Sequence, residues 1–288
     1  MKLHQWKDID YRGTVVRVDY EAVDINGRPR MKYANVYLPY GYDKAKPYNI
    51  LYLIHGGGGN PDAWLDCSQI KNVFDQAFYE KIAEPFIVVF PCFYNLIPST
   101  RRVEGIDAAF EGSQVLGFQK ELAEKVLPAI EGRIHTYAPD LTPEGFKASR
   151  AHRAIGGFSM GACATWYALQ CNLDFFSIFL TLSGDSWIVE PRGGKDHAEK
   201  TAALLAEKAK EQGYTKNDFS IFAATGREDI AWENLTPQIE AMKKLPEMFD
   251  FNEDLTKGNL HYIVKENAVH AYEEVYHHVW NYIDRLFV

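Results

Sequence analysis

Apolar and polar residues follow two different patterns along this chain, and the two patterns predict different kinds of strand. Near the N-terminus, Thr14–Val18 and the alternating run Tyr33–Leu38 are typical of antiparallel strands. Tyr48–Ile54 and Phe86–Pro91 are instead continuous apolar runs, as expected of strands that are covered on both faces. We therefore expect residues 1–45 to add antiparallel strands to a sheet whose main part is parallel.

From residue 48 onward, predicted strands alternate with predicted helices. The later strands are predicted over 152–158, 176–182, 219–224 and 260–264. The helices are predicted over 71–80, 117–130, 162–171, 196–212, 236–245 and 272–286. Such alternation indicates an α/β class fold with a mostly parallel central sheet and helices on both faces. No internal repeat or linker interrupts it, so residues 1–288 are expected to form one domain.

Residues 92–116 fit neither pattern. The stretch is rich in aromatic residues and glycines and contains Arg101-Arg102. Because a structureless stretch of this length is uncommon inside a compact domain, it is expected to be a lid or a binding loop.

Composition and charge argue against several classes of function. Lys and Arg total 31 against 39 Asp and Glu, a net charge of −8, so neither nucleic acid nor an anionic membrane surface is an expected partner. No run of 18 apolar residues predicts a membrane span, and the N-terminus lacks the apolar core of a signal peptide. The expected location is the cytoplasm, unless the chain is the mature or excised part of an exported protein.

The four cysteines show no metal-ligand spacing. They are Cys67, Cys92, Cys163 and Cys171. The last two fall on one predicted helix, where a rise of 1.5 Å per residue separates them by about 12 Å, too far for a disulfide. All four are expected to be free thiols.

Gly157, Ser159 and Gly161 form the pattern G-x-S-x-G between a predicted strand and a predicted helix. This pattern is typical of a nucleophile elbow, a strained turn that exposes the serine hydroxyl. Glycines are needed on both sides because larger side chains would collide with the turn or with the neighbouring strand. The pattern also occurs by chance in roughly one chain of this length in ten, so the surrounding residues must support it.

The partners of the serine are sought at the carboxyl ends of the strands, where ligand sites lie in parallel sheets. A serine hydroxyl needs a histidine to accept its proton, and that histidine needs a carboxylate to hold its tautomer. Asp229 follows the second strand after the elbow, the usual position of the acid in the α/β-hydrolase fold. Asp185, after the first, is the alternative, and Glu228 is expected to point away if Asp229 points in.

His270 is the predicted base because it lies between the last predicted strand and the terminal helix. The chain order serine, acid, histidine is that of the α/β-hydrolases. His277 and His278 fall on the terminal helix, where packing or solvent exposure explains them better. His152 opens the elbow strand at its far end and His261 lies within a strand, so neither is placed to act on Ser159.

The glycine run Gly56–Gly59 follows a buried strand and begins after His55. It is not a phosphate loop, because no Gly-Lys-Ser/Thr follows it. The better interpretation is an oxyanion hole made by the backbone N–H groups of Gly57 and Met160, and loss of one such donor typically costs about 10²–10³ in rate. His55 is expected to have a structural role.

Several longer stretches resemble the feruloyl esterases of carbohydrate esterase family 1, within the α/β-hydrolase superfamily. These stretches are His55–Asn60, Gly156–Gly161, Thr165–Tyr167, Leu182–Trp187, Phe222–Ala231 and Pro237–Lys243. The resemblance covers about residues 45–288. It implies Ser159, Asp229 and His270 as a catalytic triad and Trp187 as a wall of the pocket for a hydroxycinnamoyl ring.

The function that this resemblance implies is that of a serine carboxylesterase. It would release ferulate or p-coumarate from feruloylated arabinoxylan through an acyl-enzyme, with no cofactor and no metal, as an extracellular enzyme. Relatives often carry a glycine before the histidine and an aromatic residue after it. This chain has Val269 and Ala271 there, so its acyl-binding wall is expected to differ.

Aromatic residues near the carboxyl ends of the strands fit a planar acyl group. Trp64, Phe93, Tyr94 and Trp187 are candidates to stack on the substrate, with Asp185 beside them, and for each aromatic residue local packing is the alternative. Rival functions are an acetyl-xylan or siderophore-type esterase on the same scaffold and a catalytically inactive carbohydrate-binding relative.

Overall fold

The computed structural model describes residues 6–24, 27–94 and 108–288. The strands in these ranges are β1 (Thr14–Val23), β2 (Pro29–Leu38), β3 (Ile50–Ile54), β4 (Ile87–Phe90), β5 (Arg153–Phe158), β6 (Ile178–Leu182), β7 (Ser220–Gly226) and β8 (Leu260–Lys265). They form one sheet in the order β1-β2-β4-β3-β5-β6-β7-β8. β2 runs antiparallel to both β1 and β4, and all other neighbours are parallel. The predicted α/β-hydrolase fold is confirmed.

Burial along the strands follows their place in the sheet. β3, β4, β5 and β6 are buried at every position, as their continuous apolar sequences predict. β1 lies at the edge of the sheet and alternates between exposed and buried residues over its second half.

Helices cover both faces of the sheet. The α-helices within the described ranges are α1 (Ala63–Cys67), α2 (Ile70–Tyr79), α3 (Ala108–Glu121), α4 (Leu127–Glu131), α5 (Pro143–Ala148), α6 (Met160–Cys171), α7 (Ala198–Glu211), α8 (Trp232–Met242) and α9 (Tyr272–Tyr282). The apolar sides of α3 to α8 share one core cluster with one face of the sheet. α1, α2 and α9 pack in a second cluster on the other face.

The predicted loop over 92–116 is partly wrong. α3 already begins at Ala108 and continues through a π-helical segment, Leu122–Val126, into α4. Val115 is buried in the core, but the glycines around it weaken the helical pattern in the sequence. Residues 92–94 are described and buried, and residues 95–107 of the predicted loop lie outside the described residues.

Two short helices have no counterpart in the sequence prediction. α1 and α5 span 5 and 6 residues, too few for a helical period to be read. α5 does carry a local start signal, because the Thr142 side chain accepts the Gly145 N–H at 3.1 Å and Pro143 occupies the first turn. The four cysteines are free thiols, as expected. None of the described helices combines the length and the apolar character that crossing a membrane requires.

Candidate active site

Ser159 occupies a strained turn between β5 and α6. Its φ of 56° and ψ of −115° lie in a region that residues other than glycine rarely adopt. The turn is tight because a Cβ on Gly157 would lie 2.4 Å from the Gly161 carbonyl carbon. A Cβ on Gly161 would lie 2.3 Å from the Ile54 carbonyl oxygen, which shows how closely α6 approaches β3. Only glycines permit this geometry.

Three loops bring Ser159, His270 and Asp229 together. His270 lies between β8 and α9, and its Nε2 is 2.9 Å from Ser159 Oγ. Its Nδ1 is 2.7 Å from Oδ1 of Asp229, which follows β7. The Asp229 side chain is 1% exposed, and Oδ1 also accepts the Ala231 N–H at 2.7 Å. The carboxylate is therefore held in place and can fix the tautomer in which Nδ1 carries the proton.

Asp185, the alternative acid, has other partners. Its carboxylate accepts the Gly194 N–H at 3.0 Å and the indole N–H of Trp187 at 3.3 Å. Burial raises the pKa of Asp185 to about 6, although these hydrogen bonds act in the opposite direction. The structure thus pairs Asp229 with His270, whereas Asp185 binds the Gly194 N–H and the indole N–H of Trp187.

The glycine loop, Gly56–Gly59, lies opposite the start of α6. Within the described ranges, the backbone N–H groups of Gly57 and Met160 have no protein acceptor. Both residues line the same cavity as Ser159. Two unpartnered amides beside a serine hydroxyl are what an oxyanion hole requires.

His55 binds the backbone at the start of this loop. Its Nδ1 is 2.8 Å from the Gly56 carbonyl oxygen, and its ring stacks on Phe93 with centroids 4.6 Å apart. Burial lowers the pKa of His55 to about 4, so the ring is neutral and Nδ1–H is the donor. His55 therefore has the structural role that was predicted for it.

The cavity beside Ser159, here called the Ser159 cavity, has a volume of about 210 Å³. Asp185, Trp187 and His270 line it together with Gly57 and Met160. The sequence analysis assigned no role in the site to the seven further lining residues, which are Cys163, Ser183, Gly184, Arg192, Ile230, Ala231 and Asn234.

A sequence signal was available for only part of that additional set. Ile230 directly follows Asp229 at the same strand end and is 70% exposed. Its position next to the predicted acid could therefore have indicated that it lines the site. Arg192 reaches the cavity from the loop between β6 and α7 with a φ of 58°, and nothing in its local sequence indicates this.

Three of the four predicted substrate-binding aromatic residues lie elsewhere. Trp64 is fully buried and its indole N–H donates to the Ile54 carbonyl oxygen at 3.0 Å, so it belongs to the core. Phe93 packs on His55, and the hydroxyl of Tyr94 accepts the Gly58 N–H at 2.7 Å. Their positions near strand ends were correctly inferred, but none of the three lines the Ser159 cavity, since Trp64 packs in the core and Phe93 and Tyr94 pack on His55.

Trp187 alone of the four lines the Ser159 cavity. Its indole is held by Asp185, and the Tyr167 hydroxyl donates to its carbonyl oxygen at 3.0 Å. In the part of the chain that the structure describes, no cluster of His, Cys, Asp and Glu has the arrangement of a metal site.

Known proteins similar to this chain indicate its family. Residues 28–288 match the model of the family named Esterase. Endo-1,4-beta-xylanase Y of Acetivibrio thermocellus is 39% identical over 276 residues, 96% of this chain and 23% of that protein. An endo-1,4-beta-xylanase/feruloyl esterase of Xylanibacter ruminicola is 29% identical over 189 residues, 64% of this chain and 23% of that protein. The chain thus spans about a quarter of the length of these curated relatives.

Solved structures show the same fold. A feruloyl esterase module from Clostridium thermocellum, in complex with sinapinate, is 37% identical and superimposes with a TM-score of 0.82 over 98% of this chain and 90% of that one. A ferulic acid esterase from Anaeromyces mucronatus has a TM-score of 0.74 over 99% of this chain and 94% of that one, at 18% identity, and shows the fold alone.

Proposed function

Because this chain belongs to the Esterase family, we propose that it is a serine carboxylic ester hydrolase acting on hydroxycinnamoyl esters. The natural substrate in this proposal is feruloylated arabinoxylan, from which it releases ferulate or p-coumarate. The observation that carries the proposal is the hydrogen-bonded chain from Asp229 through His270 to Ser159, with distances of 2.7 and 2.9 Å, at the wall of the Ser159 cavity.

The first half of the proposed reaction forms an acyl-enzyme. Ser159 Oγ attacks the ester carbonyl carbon while its proton passes to Nε2 of His270. Asp229 keeps the imidazole oriented and stabilises the imidazolium that forms. The carbonyl oxygen becomes an oxyanion and accepts hydrogen bonds from the Gly57 and Met160 amides. His270 then gives its proton to the leaving sugar oxygen as the C–O bond breaks.

The second half returns the enzyme to its starting state. A water molecule attacks the acyl carbon and loses its proton to Nε2 of His270. The same amides stabilise the second oxyanion, and the proton returns to Ser159 Oγ as ferulate leaves. The two steps consume one water and release one alcohol and one acid.

The substrate class is supported by the Ser159 cavity and by one relative. Trp187 provides an aromatic wall and Ile230 an apolar one beside Ser159, which suits a planar phenylpropenoyl group. The solved relative at 37% identity was complexed with sinapinate, a hydroxycinnamate. A pocket for acetyl groups alone would not need an indole wall.

The test compares methyl ferulate, methyl p-coumarate and acetylated xylan as substrates of the wild type and of Ser159→Ala. We expect the wild type to hydrolyse both hydroxycinnamoyl esters and the variant to hydrolyse none, measured by release of the free acids. Activity on acetylated xylan without activity on the methyl esters would refute the substrate class. Failure of a fluorophosphonate probe to label the wild type would refute the serine hydrolase and favour a carbohydrate-binding relative.

A further inference from the structure

The backbone N–H groups of the glycine loop are satisfied on both sides of Gly57 but not at Gly57 itself. The Gly56 N–H donates to the hydroxyl of Tyr272 at 2.8 Å, and the Gly58 N–H donates to the hydroxyl of Tyr94 at 2.7 Å. The Gly59 N–H closes back on the Gly56 carbonyl oxygen at 3.1 Å. The two tyrosine hydroxyls thus flank the single amide that is left to face the Ser159 cavity.

This arrangement matters because the loop has no side chains of its own to hold it. Glycine backbones have the largest conformational freedom, and Gly58 adopts a φ of +68° that other residues rarely reach. An oxyanion donor works well only if it is already aimed at the developing charge before the reaction starts. The orientation of the Gly57 amide must therefore come from the residues that bind its neighbours.

Tyr272 also touches the two other parts of the site. It lies two residues after His270, at the start of α9. Its ring packs edge-on against Phe158, the residue before Ser159, with centroids 4.9 Å apart. The Tyr272 side chain thus contacts both β5, which leads to Ser159, and the glycine loop, which contains Gly57. Tyr272 itself belongs to the segment that carries His270.

We propose that Tyr272 is a positioning residue, whose hydroxyl aligns the Gly57 amide with the oxyanion through its hydrogen bond to the Gly56 N–H, and that Tyr94 supports the same loop from the other side. This inference rests on the proposed serine esterase reaction. It adds a role to the Tyr272 hydroxyl that is distinct from the packing of its ring.

The test is Tyr272→Phe, which keeps the ring and removes the hydroxyl. Hydrolysis is measured with p-nitrophenyl acetate and with methyl ferulate, per active site counted by complete fluorophosphonate labelling. We expect kcat to fall roughly tenfold or more with KM changed less than twofold, since complete loss of an oxyanion donor costs about 10²–10³. Inhibition by phenylboronic acid, which forms a tetrahedral adduct, should weaken by a similar factor.

The matched control is Tyr282→Phe on the same helix. The Tyr282 hydroxyl is also buried and donates to the Ala223 carbonyl oxygen at 2.6 Å, but it lies away from the glycine loop. We expect this variant to lose thermal stability while kcat stays within twofold of the wild type. The double variant Tyr94→Phe/Tyr272→Phe should lose more kcat than either single variant.

An unchanged kcat in Tyr272→Phe, with a fall in Tm like that of Tyr282→Phe, would show that the hydroxyl only stabilises the fold and would overturn the inference. A wild type active on p-nitrophenyl acetate but not on methyl ferulate would refute the proposed substrate instead, and the comparison of Tyr272→Phe with the wild type would still decide this inference. A wild type inactive on both esters would overturn both.

Discussion

One cavity lies at the carboxyl ends of the strands of the central sheet, here called the carboxyl edge, and another lies at their amino ends, here called the amino edge. The larger of the two does not contain Ser159. At the carboxyl edge the Ser159 cavity measures about 210 Å³. At the amino edge a cleft of about 750 Å³ is lined by residues that directly precede β3, β5, β6 and β8, which are Asn49, His152, Ser177 and Asn259. We call this second space the amino-edge cleft.

The two spaces differ in what their polar groups do. In the amino-edge cleft several polar groups pair with one another, although the buried Nε of Arg285 has no hydrogen-bond partner in the described residues. His152 Nδ1 is 2.7 Å from Asn49 Oδ1, and Lys216 pairs with Asp250 at 3.1 Å. In the Ser159 cavity the Gly57 and Met160 amides lack protein acceptors, and Ser159 has a strained backbone.

A folded protein normally satisfies its polar groups and relaxes its backbone, so exceptions indicate sites where another molecule is needed. Between these two spaces, volume alone would have selected the wrong one. The comparison teaches that two unpartnered amides beside a serine in a strained turn locate this site better than volume does, although Phe287 in the amino-edge cleft also has a positive φ of 66°.

The largest expected effect is the difference in esterase activity between alanine variants of two serines, one at the carboxyl edge and one at the amino edge. Ser159→Ala should reduce hydrolysis of methyl ferulate by about 10⁴-fold or more, because it removes the proposed nucleophile. Ser177→Ala removes a hydroxyl that donates to the Arg150 carbonyl oxygen at 3.1 Å in the amino-edge cleft, and we expect activity within twofold of the wild type. Comparable losses in both variants would mean that the amino-edge cleft takes part in the reaction.

A smaller effect is expected from substituting Trp187 and Trp64, which both lie near the carboxyl edge but have different contacts. Trp187→Ala should raise the KM for methyl ferulate roughly tenfold, since an aromatic wall of the cavity is lost, and should leave the KM for p-nitrophenyl acetate nearly unchanged. Trp64→Ala should instead lower the free energy of unfolding by about 3–5 kcal/mol, measured by urea denaturation. A rise in KM for methyl ferulate in a folded Trp64→Ala enzyme, without one in Trp187→Ala, would contradict their placement.

The smallest effect concerns the pH dependence of stability at the two edges. Burial raises the pKa of Asp185 at the carboxyl edge to about 6, whereas hydrogen bonds from Thr215 lower the pKa of Asp218 in the amino-edge cleft. Between pH ~4 and ~6 the folded state binds the Asp185 proton more tightly than the unfolded state, so this group makes the unfolding free energy decrease as pH rises. Asp218 acts in the opposite sense, and its contribution is lost as pH falls below the ordinary aspartate range.

Urea denaturation of Asp185→Asn and Asp218→Asn across this pH range measures the difference. We expect Asp185→Asn to make the slope of unfolding free energy against pH more positive, by at most about 1.4 kcal/mol per pH unit for one proton. A slope equal to that of the wild type would show that the Asp185 carboxyl titrates normally.

Much of the fold followed from local patterns. The strands were placed because continuous or alternating apolar runs report burial directly, and the alternation with helices predicted a parallel sheet. The start of α3 was missed because glycines weaken the helical pattern there, and the packing of Val115 against the core is not visible in the sequence. α1 and α5 are too short to show a period at all.

The sequence identified Ser159, Asp229 and His270 at the site better than it identified the residues that line the Ser159 cavity. Ser159, Asp229 and His270 stand out because each lies at a strand end, and the chain order of such ends is visible in a sequence. Which way a side chain turns at that end is not visible. Trp64 and Trp187 were both candidates to stack on the substrate, and only Trp187 was also implied by the family resemblance; Trp64 donates its indole N–H into the core, whereas Trp187 lines the cavity.

The sequence by itself determined the strands, the longer helices that cover them and the glycines without which the turn at Ser159 could not form. These features depend on local sterics and on apolar periodicity, which neighbouring residues encode. Only the tertiary structure decided which backbone amides would be left unpartnered. The Gly56 N–H is satisfied by a hydroxyl 216 residues away along the chain, while within the described ranges the neighbouring Gly57 N–H has no protein acceptor. Such a pairing has no local signature because it exists only once the sheet has assembled.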